Sequence, residues 1–316
     1  MFAKKQRSQS KGITMLNRMI ALFLDYIERE RNFSLHTRIS YAKDLQQFQT
    51  FLDGQFPDAV KDLKQIDQDV VRSFLALLLD SGMAKKSVVR KMSTLRSFFK
   101  FSIRKKLISV NPMSNVVTPK VERKLPQFLD EQTVENLLAL PNREEPMGLR
   151  DAAILELLYS TGMRRGELVG LEEADFNFYE KTVKVTGKGN KERILPFGDQ
   201  ASRALKQYLL VRDGIVKSNH SPDTAAFFLT VKGKSLYPAG VNVIVKKYFS
   251  KVSEIRQQSP HVLRHSFATH MLDRGADIFA VKELLGHESL STTQVYTHVT
   301  SERLKKVYQQ AHPKAS

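Results

Sequence analysis

The 316-residue sequence contains no cysteine. Disulfides, thiolate catalysis and cysteine-based zinc sites are therefore excluded. It also has no run approaching the roughly 20 apolar residues needed to span a bilayer. The basic start, MFAKKQRSQSKG, is not followed by an apolar stretch with a small-residue cleavage site. A soluble, cytoplasmic protein is the expectation. Internal repeats and low-complexity tracts are absent as well. Acidic residues are in deficit, with 33 Asp and Glu against 50 Lys and Arg, a formal net charge of +17. Such an excess favours a polyanionic partner, because each phosphate neutralised by Lys or Arg releases condensed counterions. A basic protein of the translation machinery or of a membrane surface would share this balance, and composition leaves those alternatives open. With 41% hydrophobic and 9% aromatic residues the chain reads as ordinary globular protein. It is long enough for two domains with separate cores.

After a basic tail at residues 1–12, four segments carry apolar residues at spacings of three and four, which gives each a single apolar helix face. The first holds Leu16, Met19, Ile20, Phe23, Leu24 and Ile27. The second, opened by Ser34 as N-cap, holds Ile39, Leu45, Phe48 and Leu52. The third is capped by Asp67 and holds Val70, Val71, Phe74, Leu75 and Leu78. The fourth holds Val88, Met92, Leu95, Phe99 and Ile103. A four-helix bundle over residues 13–108 follows. From Lys85 to Lys124 twelve basic residues stand against one acid, Glu122. A charge run is usually a solvated face, but here it interleaves with an apolar stripe. Lys85, Lys86, Arg90, Lys91, Arg96 and Lys100 are therefore candidate phosphate contacts. Residues 109–127, with Pro112, Pro119 and Pro126 and no periodicity, read as an extended linker. The second domain, residues 128–316, is mixed. Helical patterns cover about 130–140 and 149–159, two strands flank a Gly-Lys-Gly-Asn turn in KTVKVTGKGNKERILPF, and a short strand is expected near 226–230. Several more helices follow.

Five local features bear on chemistry. In TGMRRGELVGL, Arg164 and Arg165 stand at the expected start of a helix, where anions bind readily and a guanidinium can grip a phosphate bidentately. The bland alternative is a surface arginine paired with Glu167. In TGKGNKER, Lys188 lies at a hairpin tip, where lysines usually only solvate the turn. In HVLRHSFATHML, His261 and Arg264 share a helix face at i, i+3, with His265 at i, i+4. The His-x-x-x-His spacing also suits zinc, but the glutamate of HExxH is missing and Arg264 would repel a cation. His265 alone reads better as a packing or capping histidine. In ELLGHESLSTTQVYTH a helix ends at Gly286, followed at once by His287, and a Ser/Thr-rich turn leads to Tyr296. The last segment, SERLKKVYQQAHPKAS, is a short amphipathic helix with a Pro-containing tail.

Together these residue types fit phosphoryl transfer at a DNA phosphodiester. A phenol, with a pKa near 10, attacks only with a neighbouring base and a neutralised phosphate. Arginines suit the equatorial oxygens of the transition state, a histidine can move the tyrosine proton, and a lysine can protonate the departing 5′-oxygen. No metal or other cofactor is required, because the cations are side chains.

The ordered motifs TGMRRGEL, GKGNKER, HVLRH, LLGH and VYTH resemble the tyrosine recombinase, or phage-integrase, family, and most closely its Xer-type chromosome dimer resolution recombinases. The likeness runs from about Leu16 to Ala315. It implies a mainly α protein with a small β-sheet, in which an N-terminal SAM-like DNA-binding bundle and a mixed α/β catalytic domain form a C-shaped clamp. It further implies that Arg164 and Arg264 clamp the scissile phosphate, with Glu167 as the acid beside the first arginine. Lys188 would be the general acid, His261 the partner of Tyr296, and His287 a hydrogen-bond donor to a phosphate oxygen. Tyr296 would form the 3′-phosphotyrosyl bond. The implied partners are double-stranded DNA with inverted-repeat half-sites, a homo- or hetero-tetramer joined through the C-terminal helix, and a DNA translocase as activator. Two departures stand out: TGMR replaces the commoner TGLR, and Arg165 occupies a position that is often small or apolar. A mobile-element integrase, a catalytically silent DNA-binding protein and a metal-dependent nuclease are the competing expectations.

Overall fold

The computed structural model describes residues 14–121, 127–218, 225–252, 258–286 and 301–315, without the side chains of Lys188 and Ser301. The chain divides into two units, residues 1–124 and 125–316.

The first unit is helical: α1 (Met15–Arg29), α2 (Leu35–Gln55), α3 (Pro57–Lys61), α4 (Gln68–Asp80) and α5 (Lys85–Arg104). The expected caps form. Ser34 accepts from the Thr37 amide at 3.3 Å, and Asp67 accepts from Asp69 and Val70 at 3.0 and 2.9 Å, so orphan N–H groups of the first turns are satisfied. Phe23, Phe48, Phe74, Phe98 and Phe99 meet at the centre. Two details differ from the sequence reading. Ile39 is exposed, and α3 is an additional short helix begun by Pro57, whose fixed φ suits a first helical turn. Met113 and Val116, expected in the linker, are buried in this unit's core.

A buried acid ties α2 to α5. Asp44, 1% exposed, accepts from Arg90 through two nitrogens, from the Lys91 ammonium at 2.8 Å and from the Thr94 hydroxyl at 2.8 Å. Lys91, on the buried face of α5 between Val88 and Leu95, is thus inside the unit, where Asp44 holds it away from the expected phosphate contact. Arg90 remains partly exposed while paired. Arg96 donates to the Val116 carbonyl at 3.0 Å and to Thr118 at 2.8 Å. Lys85, Lys86 and Lys100 are exposed.

The second unit comprises α6 (Glu131–Ala139), α7 (Pro146–Thr161), α8 (Arg165–Val169), β1 (Phe176–Asn177), β2 (Thr182–Thr186), β3 (Glu192–Pro196), α9 (Asp199–Lys217), α10 (Pro238–Val252), α11 (Pro260–Asp273), α12 (Ile278–Leu285) and α13 (Ser301–Ala311). The strands form an antiparallel sheet in the order β1-β2-β3, with Val185 opposite Arg193. Helix α7 is buried nearly all round and packs against α9 and α11. The strand expected at 226–230 is absent; only isolated bridges pair Ala226 with Glu172 and Leu229 with Ser235. Isolated main-chain bonds to Leu171, Lys234 and Leu236 are supplemented by side chains. Arg212 donates to the Ala226 and Phe227 carbonyls, Arg150 to the Leu229 carbonyl, and the Leu229 amide donates to the Tyr208 hydroxyl.

Helix α13 is seated on its own unit. The Tyr308 hydroxyl lies 2.6 Å from Ser160 Oγ on α7, and the His312 ring stacks on Tyr308 at 4.7 Å. Burial pushes His312 down to about 3, and the Lys314 ammonium sits 3.5 Å from buried Glu156. Among the described residues, no helix is long and apolar enough to cross a membrane.

Candidate active site

Two helices of the second unit end on left-handed glycines, Gly162 after α7 (φ 60°) and Gly286 after α12 (φ 62°). A side chain would be strained at both positions. A Cβ at Gly162 would lie 2.5 Å from the Phe267 ring, and one at Gly286 would lie 3.1 Å from the Arg193 guanidinium. Each ending leaves main-chain carbonyls without helical partners and with the negative end of a helix dipole behind them.

Arginines from three separate elements fill these acceptors. Arg164, the N-cap of α8, donates from Nη2 to the Gly286 carbonyl at 2.8 Å. Arg264, from α11, donates to the carbonyls of Gly162 and Leu285, both at 2.6 Å. Arg193, from β3, donates from Nε to the Leu284 carbonyl at 3.0 Å. Three consecutive carbonyls, 284 to 286, therefore each receive a different arginine.

One carboxylate serves this cluster. Glu167, 7% exposed, accepts the Arg164 backbone N–H at 2.7 Å, the Arg164 Nη1 at 2.9 Å, and both terminal nitrogens of Arg193 at 2.9 Å. Burial alone would raise its carboxyl group. The hydrogen bonds from Arg193 and Arg164 outweigh burial and hold it below the usual carboxylate range. Three guanidiniums against one carboxylate leave the cluster short of negative charge. Arg264 registers this: burial and then the Arg164 charge push it down to about 10, so it stays protonated at neutral pH but its cation lacks full compensation. The Arg164 side chain is 40% exposed, whereas that of Arg193 is 16% exposed. Arg164 thus offers its charge to solvent, and Arg193 is turned inward.

His261, at the start of α11, is exposed at its outer edge. Its pKa is lowered by burial of the ring and by the charges of Arg165, Arg264 and Arg164, so the neutral imidazole prevails near pH 7. Arg165 makes its mark only through that charge, while Arg164 takes the position beside Arg264. His265 is half-buried, with its ring 6.3 Å from that of Phe128. The Lys188 backbone lies in the turn between β2 and β3, and its side chain is outside the description. His287 and Tyr296 lie outside the described residues, so the geometry concerns Arg164, Glu167, His261 and Arg264 of the expected set. Among the described residues no group of three or more His, Cys, Asp or Glu side chains converges as metal ligands would.

Sequence reasoning passed over Arg193. The available signal was an arginine in the inward register of a strand, opposite buried Val185 and two residues before buried Leu195.

Residues 127–303 match the phage integrase family, and residues 20–106 match the N-terminal SAM-like domain of phage integrases. The chain is 42% identical to the tyrosine recombinase XerC of Syntrophus aciditrophicus, covering 95% of this chain and 99% of that protein. It is 40% identical to XerC of Chlorobaculum tepidum, over 94% of this chain and 95% of that one. It is also 40% identical to the tyrosine recombinase XerD of Staphylococcus epidermidis, over 95% of this chain and the whole of that one. Among solved structures, the XerH site-specific recombinase bound to a palindromic difH substrate superposes with a TM-score of 0.67 over 92% of this chain and 84% of that one, at 24% identity, which supports the shared fold. The arginine cluster therefore sits in a protein of known lineage: the chain belongs to the phage integrase family, as a Xer-type tyrosine site-specific recombinase that cleaves and rejoins DNA.

Proposed function

We propose that the three-arginine cluster is the scissile-phosphate site, with Arg164 and Arg264 gripping the non-bridging oxygens. The observation that carries this reading is the charge deficit: three guanidiniums share one carboxylate, and their remaining donors rest on helix-end carbonyls that a phosphate can displace. A phosphate brings both the missing charge and better acceptors. Tyr296 attacks the phosphorus and forms a 3′-phosphotyrosyl bond. His261, neutral near pH 7, receives or returns its proton; Lys188 protonates the departing 5′-oxygen, and His287 donates to a phosphate oxygen. The energy of the phosphodiester is kept in the covalent linkage, so a hydroxyl of another strand can attack it without ATP.

The substrate is a dif-like duplex with inverted-repeat half-sites, by analogy with the difH-bound XerH relative. The exposed ammoniums of Lys85, Lys86 and Lys100, together with Arg90 and Arg96, meet its backbone. The biological outcome is resolution of chromosome dimers at cell division in the cytoplasm. A tetramer works on two sites, its protomers joined through the C-terminal helix, which in the single chain rests on its own α7, under the control of a DNA translocase.

A nicked duplex carrying the cognate site tests the chemistry. Wild-type protein in EDTA is expected to yield an SDS-resistant protein–DNA adduct, and Tyr296→Phe none. An absent wild-type adduct leaves a silent DNA-binding protein, and an adduct that needs a divalent ion overturns the metal-free mechanism.

A further inference from the structure

Arg193 is absent from the roles assigned above, yet it makes more contacts in the cluster than its position in the strand requires. Its guanidinium grips Glu167 with two parallel bonds of 2.9 Å while Nε holds the Leu284 carbonyl at 3.0 Å. Glu167 is shared with Arg164, which it binds through both side chain and backbone. A Cβ built on Gly286 would lie 3.1 to 3.3 Å from atoms of the Arg193 guanidinium, so the two are packed close together. The next residue is His287.

We infer that Arg193 is a positioning residue for strand cleavage. It keeps the Glu167 carboxylate engaged, so that Arg164 can be transferred from Glu167 and the Gly286 carbonyl to the phosphate, and it holds the end of α12 at the Leu284 carbonyl. The physical reason lies in competition. A buried carboxylate facing Arg164 alone would hold it in a charge-assisted pair that a phosphate must break. With a bidentate partner of its own on both oxygens, Glu167 remains compensated when Arg164 turns away. Arg193 itself is too enclosed to meet the DNA, at 16% side-chain exposure.

The inference rests on the proposed phosphate site, and its test separates the two. Adduct formation is followed in a single turnover at saturating nicked DNA, with DNA affinity measured in parallel. Arg193→Gln is expected to slow adduct formation by about 10- to 100-fold while affinity stays within a few-fold. Combining it with Glu167→Gln is expected to restore the rate roughly tenfold over Arg193→Gln alone, since no carboxylate is left to retain Arg164. A merely structural arginine would leave the double variant no faster than the single one, and that result, or a wild-type rate for Arg193→Gln, overturns the assignment. If Arg193→Gln does not fold, Arg193→Lys replaces it: the lysine keeps the charge but not the bidentate grip, and the same slowing and the same recovery by Glu167→Gln are expected, with the same overturning results. A wild-type protein that forms no adduct removes the phosphate-site reading and this assignment with it.

Discussion

Each unit holds a buried carboxylate that takes four donors, Asp44 in the first and Glu167 in the second, and the two outcomes differ. Asp44 in the first unit takes Arg90 twice, Lys91 and Thr94. Glu167 in the second takes Arg193 twice and Arg164 twice. Around Asp44 the acid is the centre and the cations close over it, so the cluster fastens α2 to α5. Two cations share Asp44, whereas three guanidiniums gather around Glu167, and their excess leans on carbonyls at two helix ends. A buried charge saturated by its own chain serves the fold. A cluster left short of anion can serve a ligand, as proposed for the second unit.

Removing the acid from the first cluster should give the largest stability effect. Asp44→Ala leaves the Lys91 ammonium buried without a partner and should cost about 3–5 kcal/mol, the range for breaking a buried ion pair. Denaturant unfolding of the whole chain should show the first unit's transition moved to lower denaturant and the second unit's left in place. A smaller effect is expected from the C-terminal seat of the second unit. The folded-state pKa of His312, about 3, lies below its unfolded value near 6.5, so unfolded chains bind the extra proton between these limits. The contribution is complete above pH 6.5 and is lost as pH falls towards 3, by about 2 kcal/mol between pH 6.5 and 5. Glu156, whose carboxyl is raised by burial against the pull of Lys314, acts in the opposite direction. The effect is therefore read as the difference in melting between wild type and His312→Phe across that range, and parallel melting curves would contradict it. The smallest effect concerns the exposed lysines of α5. Lys100→Ala should lower the slope of log affinity against log salt by about one, while the single-turnover cleavage rate stays unchanged. A loss of rate there would blur the division between a binding unit and a cutting unit.

The legible parts of the molecule were those fixed by short-range rules. Ser34 and Asp67 announce their helices by cap chemistry, and Gly286 announces the end of α12. Arg164, Glu167 and Arg264 were legible through motif order. Three features were not, for related reasons. Lys91 sits in a basic run, and only the folded contact with Asp44, 47 residues away, reveals that it turns inward. Residues 226–230 have strand-like composition, but they are completed by isolated main-chain bonds to Leu171, Lys234 and Leu236 and by the side chains of Arg150, Tyr208 and Arg212 instead of a regular ladder. The inward register of Arg193 was readable from its strand, but its partners come from helix ends meeting near one hairpin, which no local pattern encodes.

The account is tested most directly by the single-turnover rate of Arg164→Ala on nicked cognate DNA at saturating protein. It predicts a fall of about 100-fold or more with DNA affinity changed only a few-fold, because this arginine stabilises charge that develops at one phosphate. A rate equal to wild type, or a loss explained entirely by weaker binding, would contradict it.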